Sequence, residues 1–197
     1  VLDPSVTRGQ VGRPGRYVLQ GRILPGVSTY RYLGVHVTAR LSSRSHVDRM
    51  VSAGTRRTYA LCAWSRAAGI PVTLVLRLFE TYVMPSALFG ASVLVLTASD
   101  TERLSRAHRM WLRLVLGYPR NTITLVVLGD SGALQIAWRL RLERLAFYTR
   151  LCCMPAANGA ADLCRLASEL LEDSWARSTR AMFDEFELRK PEQAGLG

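Results

Sequence analysis

Four arginines, Arg103, Arg106, Arg109 and Arg113, are spaced by three, three and four residues. At about 100° per residue, a helix gathers them within roughly a third of its circumference. Guanidinium groups in such a row suit a phosphate backbone, because each offers a planar fork of donors to oxygen. Leu104, Ala107, Trp111 and Val115 fall on the opposite side and are expected to be the buried stripe. The competing reading is a solvated face. Against it, only Glu102 adjoins the row, so the arginines are expected to lack the i,i+4 carboxylates of an ordinary charged helix. Arg56 and Arg57, with Tyr59 and Trp64 nearby, offer further phosphate and stacking contacts, although Trp64 is expected in the core.

No catalytic constellation accompanies them. His36, His46 and His108 are scattered, and Asp48, Asp100 and Asp130 are isolated. There is no Ser/His/Asp arrangement and no glycine-rich phosphate loop. Cys62, Cys152, Cys153 and Cys164 lack the spacing of a zinc site, so no metal ligands are assigned. A reduced, intracellular chain is the simpler expectation.

The charge points the same way as the row. The net charge of +11 comes from 26 Lys+Arg against 15 Asp+Glu, and Lys190 is the sole lysine. A GC-rich genome would account for part of the preference for arginine, but not for the excess of charge. Residues 1–160 hold 21 basic and 7 acidic residues, whereas residues 161–197 hold 5 and 8. The positive field is therefore carried by the body of the chain, and nucleic acid is the leading partner class.

The elements that must position these residues follow from periodicity and from glycine and proline. With 49% hydrophobic residues, 197 residues suffice for one sizeable core or two small ones. A chain beginning at Val1 is expected to be a fragment or a processed product, and no secretory signal is apparent. Residues 1–15 read as a loop or severed connector. Residues 16–40 read as a β-hairpin, with strands over Tyr17–Leu24 and Thr29–Val37 joined by Pro25-Gly26-Val27-Ser28. Residues 41–153 read as a helical domain. Its first helix spans Ser45–Ala68, with Gly54 as an interior weak point. A second runs from Pro71 to about Leu96, and a third from Asp100 to Gly117. A short one ends near Gly129, and a long one spans Ala133–Cys153. Residues 154–197 read as a loop, one acidic helix over Ala160–Leu188, and a tail. The fold class is therefore mainly α: a helical bundle with a short N-terminal β-hairpin. Arg139, Arg141, Arg144 and Arg150 do not share a face, and most of them read as surface charge. Thr81–Ser99 carries no charge over a length near that of a membrane span, but Pro85, Gly90 and its Ser/Thr content favour a buried central helix.

Several short motifs, taken in order, resemble the region after the catalytic core of non-LTR (LINE-type) retrotransposon reverse transcriptases. Arg31-Tyr32-Leu33-Gly34-Val35 resembles the family's aromatic-Leu-Gly strand of the primer grip. Leu74 to Phe79, and Val83-Met84-Pro85 through Phe89-Gly90, resemble the helix that follows in the thumb. His108-Arg109-Met110-Trp111 through Leu116-Gly117-Tyr118-Pro119 resembles its basic helix and Gly-x-Pro turn. Val127-Leu128-Gly129 to Leu134, then Arg144 to Tyr148, resembles the lead into the last shared helices. The likeness covers about residues 17 to 151.

The resemblance implies a thumb-like bundle that grips an RNA template and a DNA primer, with Tyr30, Tyr32, Leu33 and Gly34 as the primer-grip strand. It also implies partnership with the palm and fingers of the same polyprotein. The family's metal-chelating aspartates have no match here, so no catalytic residues are assigned. Mg2+ is expected only in the missing core, with no cofactor in this chain and no membrane partner. Val93–Leu96 stand where the family usually keeps an aromatic residue. The chain is expected inside the cell, in nucleus or cytoplasm. Two further readings compete. One is a degenerate or domesticated basic module binding RNA or a protein. The other is a small membrane-associated protein using Thr81–Ser99.

Overall fold

The computed structural model describes residues 18–19, 22–23, 26–38, 42–154, 159–170 and 175–188. The connector expected over residues 1–15 and the tail after residue 188 lie outside them. The fold is mainly α, with short antiparallel β pairs at the N-terminal end.

The β region departs from the expected single hairpin. Strand β1 (Val18–Leu19) pairs with β2 (Arg22–Ile23), and β3 (Thr29–Tyr32) pairs separately with β4 (Val35–Thr38). Each expected strand therefore folds back on itself. The reversal falls at Leu33-Gly34, which carry φ values of 46° and 90° between the partners Tyr32 and Val35. Positive φ at both central residues is the geometry whose twist suits a two-residue hairpin. Gly34 adopts it without strain; Leu33 does so at a cost.

Helix α1 (Arg44–Ala67) runs as expected and packs on α4 (Ala98–Leu116). Gly54 is the reverse of a weak point. A Cβ there would stand inside contact distance of the Trp111 ring, 3.0 Å from Cε2, so the missing side chain lets the two helices approach. Thr97 caps α4 by accepting from the Asp100 amide, and the Asp100 carboxylate accepts from the Thr97 amide in return. Ser43 donates to the same carboxylate at 2.6 Å, fastening the start of α1 to the start of α4.

The expected helix from Pro71 to Leu96 is instead a broken series. Helix α2 (Val72–Leu78) widens into a π turn over Phe79–Val83 and resumes as α3 (Met84–Ala87). The widening carries the chain past Pro85, which has no N–H to donate to the preceding turn. Gly90 then reverses direction at φ 80°, before a 3-10 turn over Ala91–Val93. Among the described residues no helix is long and apolar enough to cross a membrane.

Helices α5 (Thr124–Ser131) and α6 (Ile136–Cys152) close the main core, which centres on Phe79, Met84, Leu104, Trp111, Leu112 and Val127. The expected acidic helix after residue 160 is two, α7 (Gly159–Leu170) and α8 (Trp175–Glu185). They fold over the second half of α6 around a smaller core of Leu145, Tyr148, Cys164, Ala176 and Phe183. Arg144 of α6 holds α8 by donating to Thr179 Oγ1, Ser178 Oγ and the Trp175 carbonyl, and its guanidinium lies 5.4 Å from the Trp175 ring centre. Arg139 pairs with Glu80 and Glu143, and Arg141 with Glu185. These α6 arginines tie elements together, so they are more than surface charge.

Candidate nucleic-acid interface

The β3–β4 hairpin rests on the turn that follows α3, and the contact is made by backbone that side chains would obstruct. A Cβ on Gly34 would lie 2.9 Å from the Phe89 ring, and one on Gly90 would lie 2.8 Å from Val35 Cγ2. Both glycines also have positive φ, so the join demands glycine on each side. His46, buried near the start of α1, spans it. Its Nδ1 accepts from the His36 amide at 3.2 Å, and its Nε2 lies 2.9 Å from the Phe89 carbonyl oxygen. That pair of bonds requires the tautomer with the proton on Nε2. No sequence signal marks His46, because both its partners come from other elements.

Beside this join the hairpin and α1 enclose a groove of about 770 Å³, lined by Arg31, Arg49, Arg56, Arg57, Leu33, Gly34 and Phe89 among others. Among the described residues no carboxylate lines it. His36 registers the local field: its pKa is lowered from that of an ordinary histidine, first by desolvation and then by Arg49, His46 and Arg31. Tyr30 and Tyr32 are 61% and 62% exposed, and Leu33 at the tip is 78% exposed. Alternation along β3 places Arg31 on the other face from the two tyrosines. Arg31 faces the groove, and it is the residue of this stretch that sequence reasoning missed.

Two shallower concavities continue the basic surface. Arg49 and Ser52 pass from the groove to a hollow that also includes Arg44 and Asp48. Arg44 is in turn shared with a hollow bounded by Asp100, Glu102, Arg103 and Arg106. Seven arginines thus border one continuous surface with three carboxylates, of which Asp100 is buried and spent on Ser43 and Thr97. Burial pushes the Asp100 pKa up, but the hydrogen bonds from Ser43 and Thr97 outweigh it and hold it below the usual carboxylate value.

The row expected along α4 divides. Its apolar side is buried as expected, with Leu104, Ala107, Trp111 and Val115 all in the core. Arg103 and Arg106 join the basic surface. Arg103 pairs with Asp48 of α1 at 2.8 Å. Glu102 overturns the expectation of a row without carboxylates, since it takes both Arg106, at 3.0 Å, and Arg109, at 3.1 Å. Those bonds hold the Glu102 pKa below its usual range. Arg109 turns away toward α6, beside Gln135 and Trp138. Arg113 donates to the Thr122 carbonyl at 2.8 and 3.2 Å and to Thr124 Oγ1, so it fastens the turn between α4 and α5. The isolated aspartates also have structural partners: Asp48 has Arg103, and Asp130 accepts from the Tyr118 hydroxyl at 2.6 Å.

Tyr59 and Trp64 are both exposed, which corrects the placing of Trp64 in the core. Its ring stands on the solvent side of α1 because Thr58, Cys62 and Ser65 take the inward positions. His108 is fully buried against Phe79, away from the groove. Among the described residues no cluster of His, Cys, Asp or Glu could hold a metal ion. What the surface can do is bind a polyanion along α1, the hairpin and the start of α4. No protein-family model, curated protein or solved structure matches the chain.

Proposed function

We propose that the chain is the primer-grip and thumb-connection segment of a non-LTR retrotransposon reverse transcriptase, holding an RNA template paired with a DNA primer through backbone contacts. The observation that carries this reading is the join between two motifs far apart in sequence. The Leu33-Gly34-Val35 stretch and the Phe89-Gly90 step, each part of the family resemblance, pack on one another beside a groove lined by four arginines and, among the described residues, by no carboxylate. Contacts of this kind fix position and register without reading bases. Tyr30, Tyr32, Leu33 and Gly34 are the strand offered to the primer. Arg31, Arg49, Arg56 and Arg57 contact phosphates, with Arg103 and Arg106 extending the track. Catalytic aspartates and their Mg2+ belong to the palm of the same polyprotein, and the work is done inside the cell, in nucleus or cytoplasm.

Fluorescence anisotropy of the 197-residue chain on a labelled RNA–DNA hybrid, over a series of salt concentrations, tests this. Each phosphate neutralised adds about 0.9 to the slope of log affinity against log salt. Replacing Arg49, Arg56 and Arg57 by glutamine is expected to reduce the slope by about 2 to 3. The same change at Arg165, Arg177 and Arg180 is expected to leave it nearly unaltered. Equal losses in the two sets would remove the groove from the reading. Tight binding to one structured RNA, with indifference to the hybrid, would make the chain a stand-alone binding module.

A further inference from the structure

Four tryptophans are present, and three have partners. Trp111 is buried and donates to Thr55 Oγ1 at 2.9 Å. Trp175 donates to the Ser92 carbonyl at 2.9 Å and contacts Arg144, Phe147 and Tyr148. Trp138 packs against Phe186 and Arg141. Trp64 is 56% exposed, and among the described residues no ring stacks on it, no cation covers it and its indole N–H has no acceptor.

A single exposed apolar residue is ordinary on a protein surface. The place of this one is not. Arg49, Ala53, Arg56, Ala60 and Trp64 recur at intervals of four, three, four and four, which at about 100° per residue puts them within about 80° of the helix circumference. The arginine wall of the groove and the free indole therefore share one face of α1. Along this face of α1 only alanine stands between Arg56 and Trp64. At about 1.5 Å per residue, Trp64 lies about 12 Å beyond Arg56 along the helix axis. That is the axial length of about four nucleotides of one strand.

Resting on the reading of the groove as a polyanion site, we propose that Trp64 is a stacking platform for an unpaired base in the single strand that leaves the duplex. Charge selects the occupant: a face bearing Arg49, Arg56 and Arg57, beside a groove that no carboxylate of the described residues lines, favours a phosphate backbone. Every base has a π face, so the platform takes any sequence. The chain then recognises a junction between duplex and single strand rather than a uniform duplex.

The test compares two probes on the 197-residue chain: a blunt RNA–DNA hybrid, and the same hybrid with a single-stranded RNA extension of about eight nucleotides, twice the reach from Arg56. The extension is expected to tighten wild-type binding by about tenfold, the scale of one stacked base. Trp64→Ala is expected to abolish that gain and to leave blunt-hybrid affinity unchanged, whereas Trp64→Phe keeps most of it. The assignment is overturned if the gain survives in Trp64→Ala, or if both probes weaken equally. Loss of self-association in Trp64→Ala, in place of loss of the gain, would also overturn it by making the ring a protein contact. Wild-type binding to the blunt hybrid without any gain from the extension removes the stacking platform alone. Binding to neither probe removes the function proposed above as well.

Discussion

Trp111 of α4 packs against the backbone of α1 at Gly54 and donates its indole hydrogen to the neighbouring Thr55, 2.9 Å away. The pair sets how closely the two main helices approach, and so how α1 presents its arginines. Gly54→Ala gains about 1 kcal/mol of helix propensity. It also drives a methyl group into the ring, and overpacking of this kind costs about 1–3 kcal/mol. Net destabilisation is expected in urea unfolding. A variant as stable as the parent would contradict the close approach.

His46 fastens the hairpin through the His36 amide and the Phe89 carbonyl. His46→Ala leaves both groups without that partner, at about 1–3 kcal/mol for each one that stays buried. Exchange of the His36 amide proton with solvent is expected to accelerate while amides in the middle of α4 keep their protection. Uniform acceleration throughout the chain would mean that His46 supports the whole fold rather than the hairpin.

Arg113 separates structural from binding arginines. Its guanidinium is committed to Thr122 and Thr124, and a charged donor to a carbonyl contributes about 1.5–3 kcal/mol. Arg113→Ala is expected to lower stability by about that amount and to leave the salt slope of hybrid binding as it was. A flatter slope with unchanged stability would restore Arg113 to the phosphate contacts.

His108 makes stability depend on pH. Burial, then Arg139 and Arg109, push its pKa down from 6.5 to about 4. The folded chain therefore binds fewer protons than the unfolded chain between those values. Its contribution is complete above pH 6.5 and is lost as pH falls to about 4, in total on the order of 3 kcal/mol. Subtracting the pH profile of His108→Leu from that of the parent isolates this component, since other groups titrate in both. A flat difference would show that His108 is solvated in the folded chain.

Much of the helical frame was legible because glycine, proline and apolar spacing act locally. The end of α4 is readable at Gly117, and its buried stripe follows from its period. The errors arise where a distant partner decides. Gly54 reads as a flaw until Trp111 is placed opposite it. The apolar run after Pro71 reads as one helix because hydrophobicity alone conceals the turn that Gly90 makes against Val35. The hairpin reversal was misplaced because Pro25-Gly26 is the stronger local signal, whereas Leu33-Gly34 takes the turn with Gly34 against Phe89. Arg49 and Arg57 share a face of α1 by their spacing, but Arg31 joins them in one groove only after the hairpin is laid beside α1, which no spacing shows.

The 3-10 turn after Gly90 is supported from the far end of the chain, since the Ser92 carbonyl accepts from Trp175, 83 residues later. During synthesis from the N-terminus, the hairpin and α1 leave the ribosome well before that tryptophan. The site can therefore start to assemble early, but its supporting turn is completed only when α8 arrives. Chains cut short before Trp175 lose the last brace on the segment that carries Phe89.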